Sequence, residues 1–255
     1  MSRGTHPFLD HALPIAFAHR GGASDAPENT LPAFQRAIEL GYRYLETDVH
    51  ASRDGVLFAF HDDDLSRACG RAGRISEMDA GEVRTARVHG REPIPTLEEL
   101  IVTWPDARLN VDCKSDHALE PLAARLARGD LWDRVCIGSF SDRRLATIRT
   151  ALGPQLCTSM GPKEVAMLRL RSWTKTQPRE LVPLAAQVPP RQGPIPIVDA
   201  AFVSHAHDLG LHVHVWTIDS RTEIDELLDV GVDGIMTDSL STLATALGER
   251  GQWTS

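Results

Sequence analysis

No stretch of this 255-residue chain approaches the length of an apolar membrane span, so stable insertion into a bilayer is not expected. The four cysteines, Cys69, Cys113, Cys136 and Cys157, are scattered without a CxxC pair, which argues against a zinc knuckle or a disulfide frame and fits reduced thiols. Positive charge is in short supply: 27 lysines and arginines face 35 acids, a net charge of −8. That balance disfavours nucleic acid and anionic lipid surfaces as general partners, while a local basic pocket could still hold a small phosphate. The opening "MSRGTHPFLDHALP" contains Arg3 but no continuous apolar core and no small-residue cleavage pattern, so no secretory signal is expected and cytoplasmic residence is. No GxGxxG follows the first apolar run, which argues against an open dinucleotide-binding sheet.

What is present is a globular composition, 42% hydrophobic and 24% charged. Short apolar runs alternate with amphipathic stretches along the whole chain, the pattern of parallel strands joined by crossover helices. The strand candidates are "PIAFAH", "YRYLETDV", "ARLNVDCK", "RVCIGSF", "QLCTSM", a weak "LAAQVP", "LHVHVWTI" and "DGIMTD". Eight such strands predict an α/β fold, a closed (β/α)8 TIM barrel whose reactive groups lie at the carboxyl ends of its strands. One domain is expected over residues 1–255. In the first helix, "NTLPAFQRAIELG", Asn29 or Thr30 can cap the start and Gly41 suits the left-handed stop. Thr96 and Glu99 form a capping box for "LEELIVTW". After the second strand, Asp54 and Gly55 make a tight turn that sends Val56–Phe60 back antiparallel. The polar text from about 64 to 95 carries no barrel strand and is expected to be a small insertion. The proline-rich "QVPPRQGPIPIVDA" lacks periodicity and reads as a long loop.

The polar residues fall where a barrel would use them. The first strand ends at His19 and Arg20. Glu46 and Asp48, two apart on the second strand, point to the same side. Paired carboxylates repel unless a cation lies between them, and oxygen donors favour a hard ion, Mg²⁺ or Ca²⁺. The competing explanation is one exposed acid and one acid in a salt bridge. The hairpin strand delivers His61 and Asp62, and "NVDCK" delivers Asp112 and Lys114 on one face. Asp112 is placed to be a third metal ligand, and Lys114 to meet a phosphate or, alternatively, to pair with Asp112 or Glu46. Such a set suits phosphoryl transfer from a diester. Cations bind the non-bridging oxygens, one imidazole takes a proton from the nucleophile, and the other gives one to the leaving alkoxide. Trp216, at a late strand end, could wall the carbon skeleton of a substrate or lie in the core. Asp238 reads as the cap of the last helix. His212 and His214 share one strand face; a polar face or the amino-terminal rim is preferred there over a second metal site.

The segments "AHRGG" with "PENT", "LETDVHASRDG", "FHDDDLSR", "NVDCK", "VWTID" and "GVDGIMTDS" together resemble the glycerophosphodiester phosphodiesterases, in that family's order over nearly the whole chain. The resemblance implies a (β/α)8 barrel with a small insertion after the second strand and a divalent cation. It also implies hydrolysis of small-molecule glycerophosphodiesters to glycerol 3-phosphate and an alcohol. It further implies His19 and His61 as acid–base groups, Glu46 and Asp48 as metal ligands, and Arg20 and Lys114 as phosphate contacts. Two departures stand out. Asp112 replaces the usual glutamate, and Asp219 in "WTID" replaces the usual asparagine, adding negative charge that could act on headgroup choice. Gly21 and Gly22 are expected to let the chain leave the rim without crowding the substrate, and Glu28 and Asn29 to steady the loop through its backbone.

Two alternatives stay open. One is a lysophospholipase D-like or cyclising phosphodiesterase on the same fold, which would want an apolar lip that the sequence does not display. The other is a catalytically silent phosphodiester or metal binder, against which the retained charges at a barrel mouth argue.

Overall fold

The computed structural model describes residues 6–12, 14–176 and 182–253. Met1–Thr5, within the opening considered for a targeting signal, lie outside the described residues. Eight parallel strands form the barrel: β1 (Ile15–His19), β2 (Tyr44–Ala51), β4 (Arg108–Cys113), β5 (Val135–Gly138), β6 (Cys157–Thr158), β7 (Ala185–Val188), β8 (His212–Val215) and β9 (Gly234–Thr237). The strand β3 (Leu57–Ala59) returns antiparallel on β2, as the Asp54–Gly55 turn predicts, with Gly55 at φ +86°.

The hydrogen-bonded order runs β6-β5-β4-β2-β1-β9-β8-β7. Its two ends meet through a parallel bridge between Ser159 and Ala185. There the Leu184 amide donates to Thr158 O at 3.0 Å and the Met160 amide to Ala185 O at 2.8 Å. Helices follow the barrel strands in turn: α1 (Leu31–Glu39), α2 (Leu97–Thr103), α3 (Leu119–Leu126), α4 (Asp142–Leu152), α5 (Pro162–Thr174), α6 (Ala200–Asp208), α7 (Arg221–Val230) and α8 (Leu240–Glu249). Thr30 caps α1 and the Thr96–Glu99 box caps α2, while Gly41 and Gly231 take the left-handed conformations that end α1 and α7.

Strand alternation divides the side chains between two environments. Leu45, Val49, Leu109, Val111, Ile137 and Val213 pack outward against the helices as the main core. Phe8, Ile15, Phe17, Tyr44, Cys136, Cys157 and Met236 form a second cluster inside the barrel. Phe8, in the turn Pro7–Leu9, meets Tyr44 edge-on at 5.3 Å and accepts a hydrogen bond from the Tyr44 hydroxyl at 2.7 Å. The amino-terminal half of the barrel is therefore filled with apolar side chains, which leaves the carboxyl half for chemistry.

His212 and His214 share one face of β8, as expected, and both are buried. His214 stacks at a tilt on Phe17 at 4.8 Å and lies 3.3 Å from Gln187 Nε2. Residues 64–95 carry the short helices Ser66–Cys69 and Ala80–Val83 and the ribbon Arg87–Val88 with Glu92–Pro93. Phe58, Phe60, Leu65, Ile75, Val83, Val88 and Ile94 give this segment a small core of its own. The proline-rich stretch is not structureless: it holds the end of β7, a ribbon of Arg191–Gln192 with Ile195–Pro196, and the approach to α6.

Candidate active site

Register sets the site. His19 pairs across from Glu46, Glu46 from Asn110, and Asp48 from Asp112. These neighbours on β1, β2 and β4 therefore present their side chains at matching depth inside the barrel. All eight residues singled out from the sequence (His19, Arg20, Glu46, Asp48, His61, Asp112, Lys114 and Trp216) line one cavity of about 520 Å³.

Each histidine is held by its own carboxylate. His19 Nδ1 lies 2.8 Å from Asp238 Oδ1, and His61 Nδ1 lies 2.6 Å from Asp62 Oδ1. With Nδ1–H donated to a carboxylate, Nε2 is left as the atom for proton exchange. Burial opposes protonation of His19, but the Glu46 charge and the Asp238 hydrogen bond outweigh it and its pKa is raised. Asp238 is thus an orienting partner for His19 rather than the cap of α8. Asp219 takes the capping task, its Oδ1 accepting from Thr237 Oγ1 and from the amides of Asp238 and Ser239 at 2.8–3.1 Å. Asp219 does not line the cavity, and its Oδ1 is spent on the β9–α8 turn.

The opening loop is built for rigidity. Arg20 and Asn29 both adopt positive φ, +51° and +55°, and the Asn29 amide donates to Arg20 O at 2.9 Å. Such backbone is sparsely populated for non-glycine residues and persists where surrounding contacts enforce it. Asn29 supplies those contacts with its side chain: Nδ2 donates to Asp48 Oδ2 at 3.1 Å and Oδ1 accepts from Thr47 Oγ1 at 2.7 Å. Glu28 pairs with Arg20 at 3.3 Å and with Arg67 at 2.6 Å, and Arg67 also donates to Asp62. A chain of ion pairs thus links His61 to Arg20. The glycines answer to packing rather than to substrate: a Cβ on Gly21 would meet Ala33 Cβ at 2.8 Å, and one on Gly22 would meet Leu240 Cδ1 at 2.6 Å.

The three acids are crowded and buried. Lys114 Nζ lies between two of them, 2.9 Å from Asp48 Oδ1 and 3.0 Å from Asp112 Oδ2, so the salt bridge weighed for Lys114 is present. Burial disfavours the Asp48 carboxylate, but Lys114 and Arg20 overcome it and hold the pKa low. For Asp112, burial prevails over Lys114 and the pKa is raised. Glu46 is pushed up to about 7 by burial and by the Asp48 charge. Among the described residues, no three His, Cys, Asp or Glu side chains stand in a ready-made metal-holding arrangement. The donor set nevertheless fits a hard divalent cation. All three groups are carboxylates, Asp112 Oδ1 is buried with no hydrogen-bond partner, and Arg20 and Lys114 together leave three acids under-neutralised.

Sequence reasoning missed three contributors: Asn29 as a side-chain buttress, Asp238 as the partner of His19, and the Glu28–Arg67 link. "PENT" and "FHDDDLSR" contain the residues, but no spacing rule pairs positions 39 apart, as Glu28 and Arg67 are.

Comparison with known proteins agrees with this geometry. The Glycerophosphoryl diester phosphodiesterase family matches residues 19–242. A Mycobacterium tuberculosis protein named "Probable glycerophosphodiester phosphodiesterase 2" is 39% identical, over 99% of both chains. The Oleispira antarctica phosphodiesterase, solved in complex with the product sn-glycerol-3-phosphate, superposes with a TM-score of 0.75 at 25% identity, covering 92% of this chain and 97% of that one. The Agrobacterium tumefaciens glycerophosphodiester phosphodiesterase shares the fold, with a TM-score of 0.75 at 21% identity over 92% of this chain and all of that one. Eight parallel strands, two carboxylate-held histidines at their carboxyl ends and a family match that begins at His19 lead to one conclusion: the chain belongs to the glycerophosphoryl diester phosphodiesterase family.

Proposed function

We propose that the protein hydrolyses glycerophosphodiesters to sn-glycerol 3-phosphate and an alcohol, with His19 and His61 as the acid–base pair. The observation that carries this reading is the pairing of each histidine with a carboxylate, Asp238 and Asp62, at one cavity that also holds Arg20 and Lys114. A group that must accept a proton in one half of a reaction and return it in the other needs a fixed ring and a pKa near neutrality.

In this reading Arg20 and Lys114 meet the non-bridging phosphoryl oxygens. Binding an anion there shares Lys114 between phosphate and the two aspartates, and shares Arg20 between phosphate and its Glu28 and Asp48 partners. One histidine removes a proton from the attacking water, and the other protonates the departing alkoxide. Trp216, edge-on to Phe140 at 5.5 Å, lies against the carbon skeleton of the substrate. Glu46, Asp48 and Asp112 are the residues that would hold a divalent cation, Mg²⁺ or Ca²⁺. Such an ion supplies Lewis-acid polarisation of a phosphoryl oxygen.

Phosphorus NMR of glycerophosphocholine turnover with added Mg²⁺ or Ca²⁺ tests the reading. The expected product is sn-glycerol 3-phosphate, with loss of turnover on chelation. Accumulation of a stable cyclic phosphate would favour the cyclising alternative, and tight binding without turnover the silent one.

A further inference from the structure

The charged residues that line the cavity come from β1, β2, β4 and the loop after β3, while Phe140, Val165, Ile197 and Trp216 make another side apolar. A third set is polar but uncharged, and the chemistry above does not use it: Asn110, Ser139, Ser159 and Gln187. Ser139 serves the fold, its Oγ donating to Cys113 O at 2.7 Å. The other three converge from β4, the end of β6 and β7.

Gln187 is held in one orientation. Its Nε2 donates to Asn110 Oδ1 at 2.7 Å and faces His214 Nδ1 at 3.3 Å. An amide nitrogen only donates, so both neighbours act as acceptors. Burial keeps the His214 ring uncharged, with its pKa pushed down to about 3, and Nδ1 is therefore free to accept. Turning the amide over would set Oε1 against two acceptors. A buried polar network of this kind could serve packing alone, but the place where Oε1 lies gives it a further use.

Gly138 supplies that place. It stands across from Asp112 in register, and it is not among the glycines with positive φ, so its backbone does not call for glycine. What the missing side chain provides is a niche: a Cβ there would stand 3.4 Å from Ser159 Oγ and 3.5 Å from Gln187 Oε1. The niche opens into the cavity beside Asp112 and presents an acceptor and a hydroxyl, with no charge of its own.

Resting on the phosphodiesterase reading above, we propose that Gln187 Oε1 and Ser159 Oγ bind a free hydroxyl of the glycerol half of the substrate in the niche over Gly138. Oε1 accepts from the hydroxyl, and Ser159 Oγ donates to the same oxygen. An apolar group in that position would leave Oε1 unpaired away from water, so the site selects the hydroxyl by penalising its absence.

The test measures kcat/KM, with Mg²⁺ or Ca²⁺ present, for four nitrophenyl phosphodiesters that share the leaving group. Their other halves are glycerol, its 3-hydroxypropyl and 2-hydroxypropyl analogues, and propyl, which has neither hydroxyl. In the parent protein the glycerol diester should exceed the propyl diester about 10²-fold, the scale of one buried acceptor left unpaired. The single-hydroxyl analogue that falls to the propyl level identifies the hydroxyl that is bound. In Gln187→Leu and Gln187→Met, with native fold confirmed by circular dichroism, the glycerol-to-propyl ratio should drop to within about threefold of unity. Ser159→Ala should lower the ratio by about fivefold, and an unchanged ratio there overturns the part given to Ser159. A ratio near unity in the parent, or a parent-like ratio in both Gln187 variants, overturns the inference, while turnover of the glycerol diester leaves the parent reading standing. No turnover of any of these diesters overturns both.

Discussion

His19 Nδ1 and Asp238 Oδ1 are 2.8 Å apart although 219 positions separate them in the chain. The barrel brings them together because β1 and β9 are neighbours, with Ala18 across from Thr237. Asp238→Asn should therefore lower kcat by about 10²-fold or more with little change in KM, since an amide no longer fixes the ring tautomer. Steady-state kinetics check this, with the native fold confirmed by circular dichroism.

The second histidine is supported more loosely. Arg67 ties Asp62 to Glu28 at the surface. Arg67→Ala should reduce kcat/KM by about tenfold through misorientation of Asp62 and His61. Unfolding stability should stay within about 1 kcal/mol of the parent, because the arginine is half exposed. A large loss of stability with unchanged kinetics would assign Arg67 a structural task only.

The carboxylate cluster carries its own test. Glu46 is pushed up to about 7 by burial and by the charge of Asp48. Glu46→Gln should raise the stability of the chelated protein by about 1 kcal/mol while abolishing turnover, the trade expected where function keeps repelling charges together. Added Mg²⁺ or Ca²⁺ at about 100 times its dissociation constant should stabilise the parent by about 2.7 kcal/mol and the variant far less. Thermal melts with and without chelator read both effects.

A pH effect on stability arises far from the reacting groups. His214 is fully buried beside Phe17, and burial pushes its pKa down to about 3. The folded pKa lies below the unfolded one, so as pH falls below about 6.5 the unfolded chain gains a proton that the folded chain refuses. This group alone should cost about 1.4 kcal/mol per pH unit on acidification, down to about pH 3. His214→Gln should flatten the dependence of unfolding free energy on pH between about 6 and 4 by one proton. Denaturant titrations across that range measure the slope.

Much of this was legible in the sequence, for physical reasons. Period-two alternation in "YLETDV" put Glu46 and Asp48 on one face, and crossover spacing separated eight strands even where a strand is as short as Cys157–Thr158. Local rules also found the Thr96–Glu99 box and the returning hairpin. What escaped depends on closure of the barrel. No local rule joins Asp238 to His19 or Arg67 to Glu28, and none assigns the β9–α8 turn to Asp219 rather than Asp238. The apolar side of the cavity escaped for the same reason. Phe140, Val165, Ile197 and Trp216 come from segments after four different strands, so no window of sequence shows a lip. The "PENT" turn suggests that Asn29 steadies the loop through its backbone, whereas at its positive φ the side-chain amide meets Thr47 and Asp48.

The central claim is that two histidines divide the proton transfers, and leaving-group dependence tests it most directly. His19→Ala and His61→Ala should each lower kcat/KM for an alkyl glycerophosphodiester by about 10²-fold or more. With a nitrophenyl leaving group, which departs without protonation, one of the two variants should recover to within about tenfold of the parent and the other should not. Full activity of either variant on the alkyl ester, or identical losses on both substrates, would contradict the account.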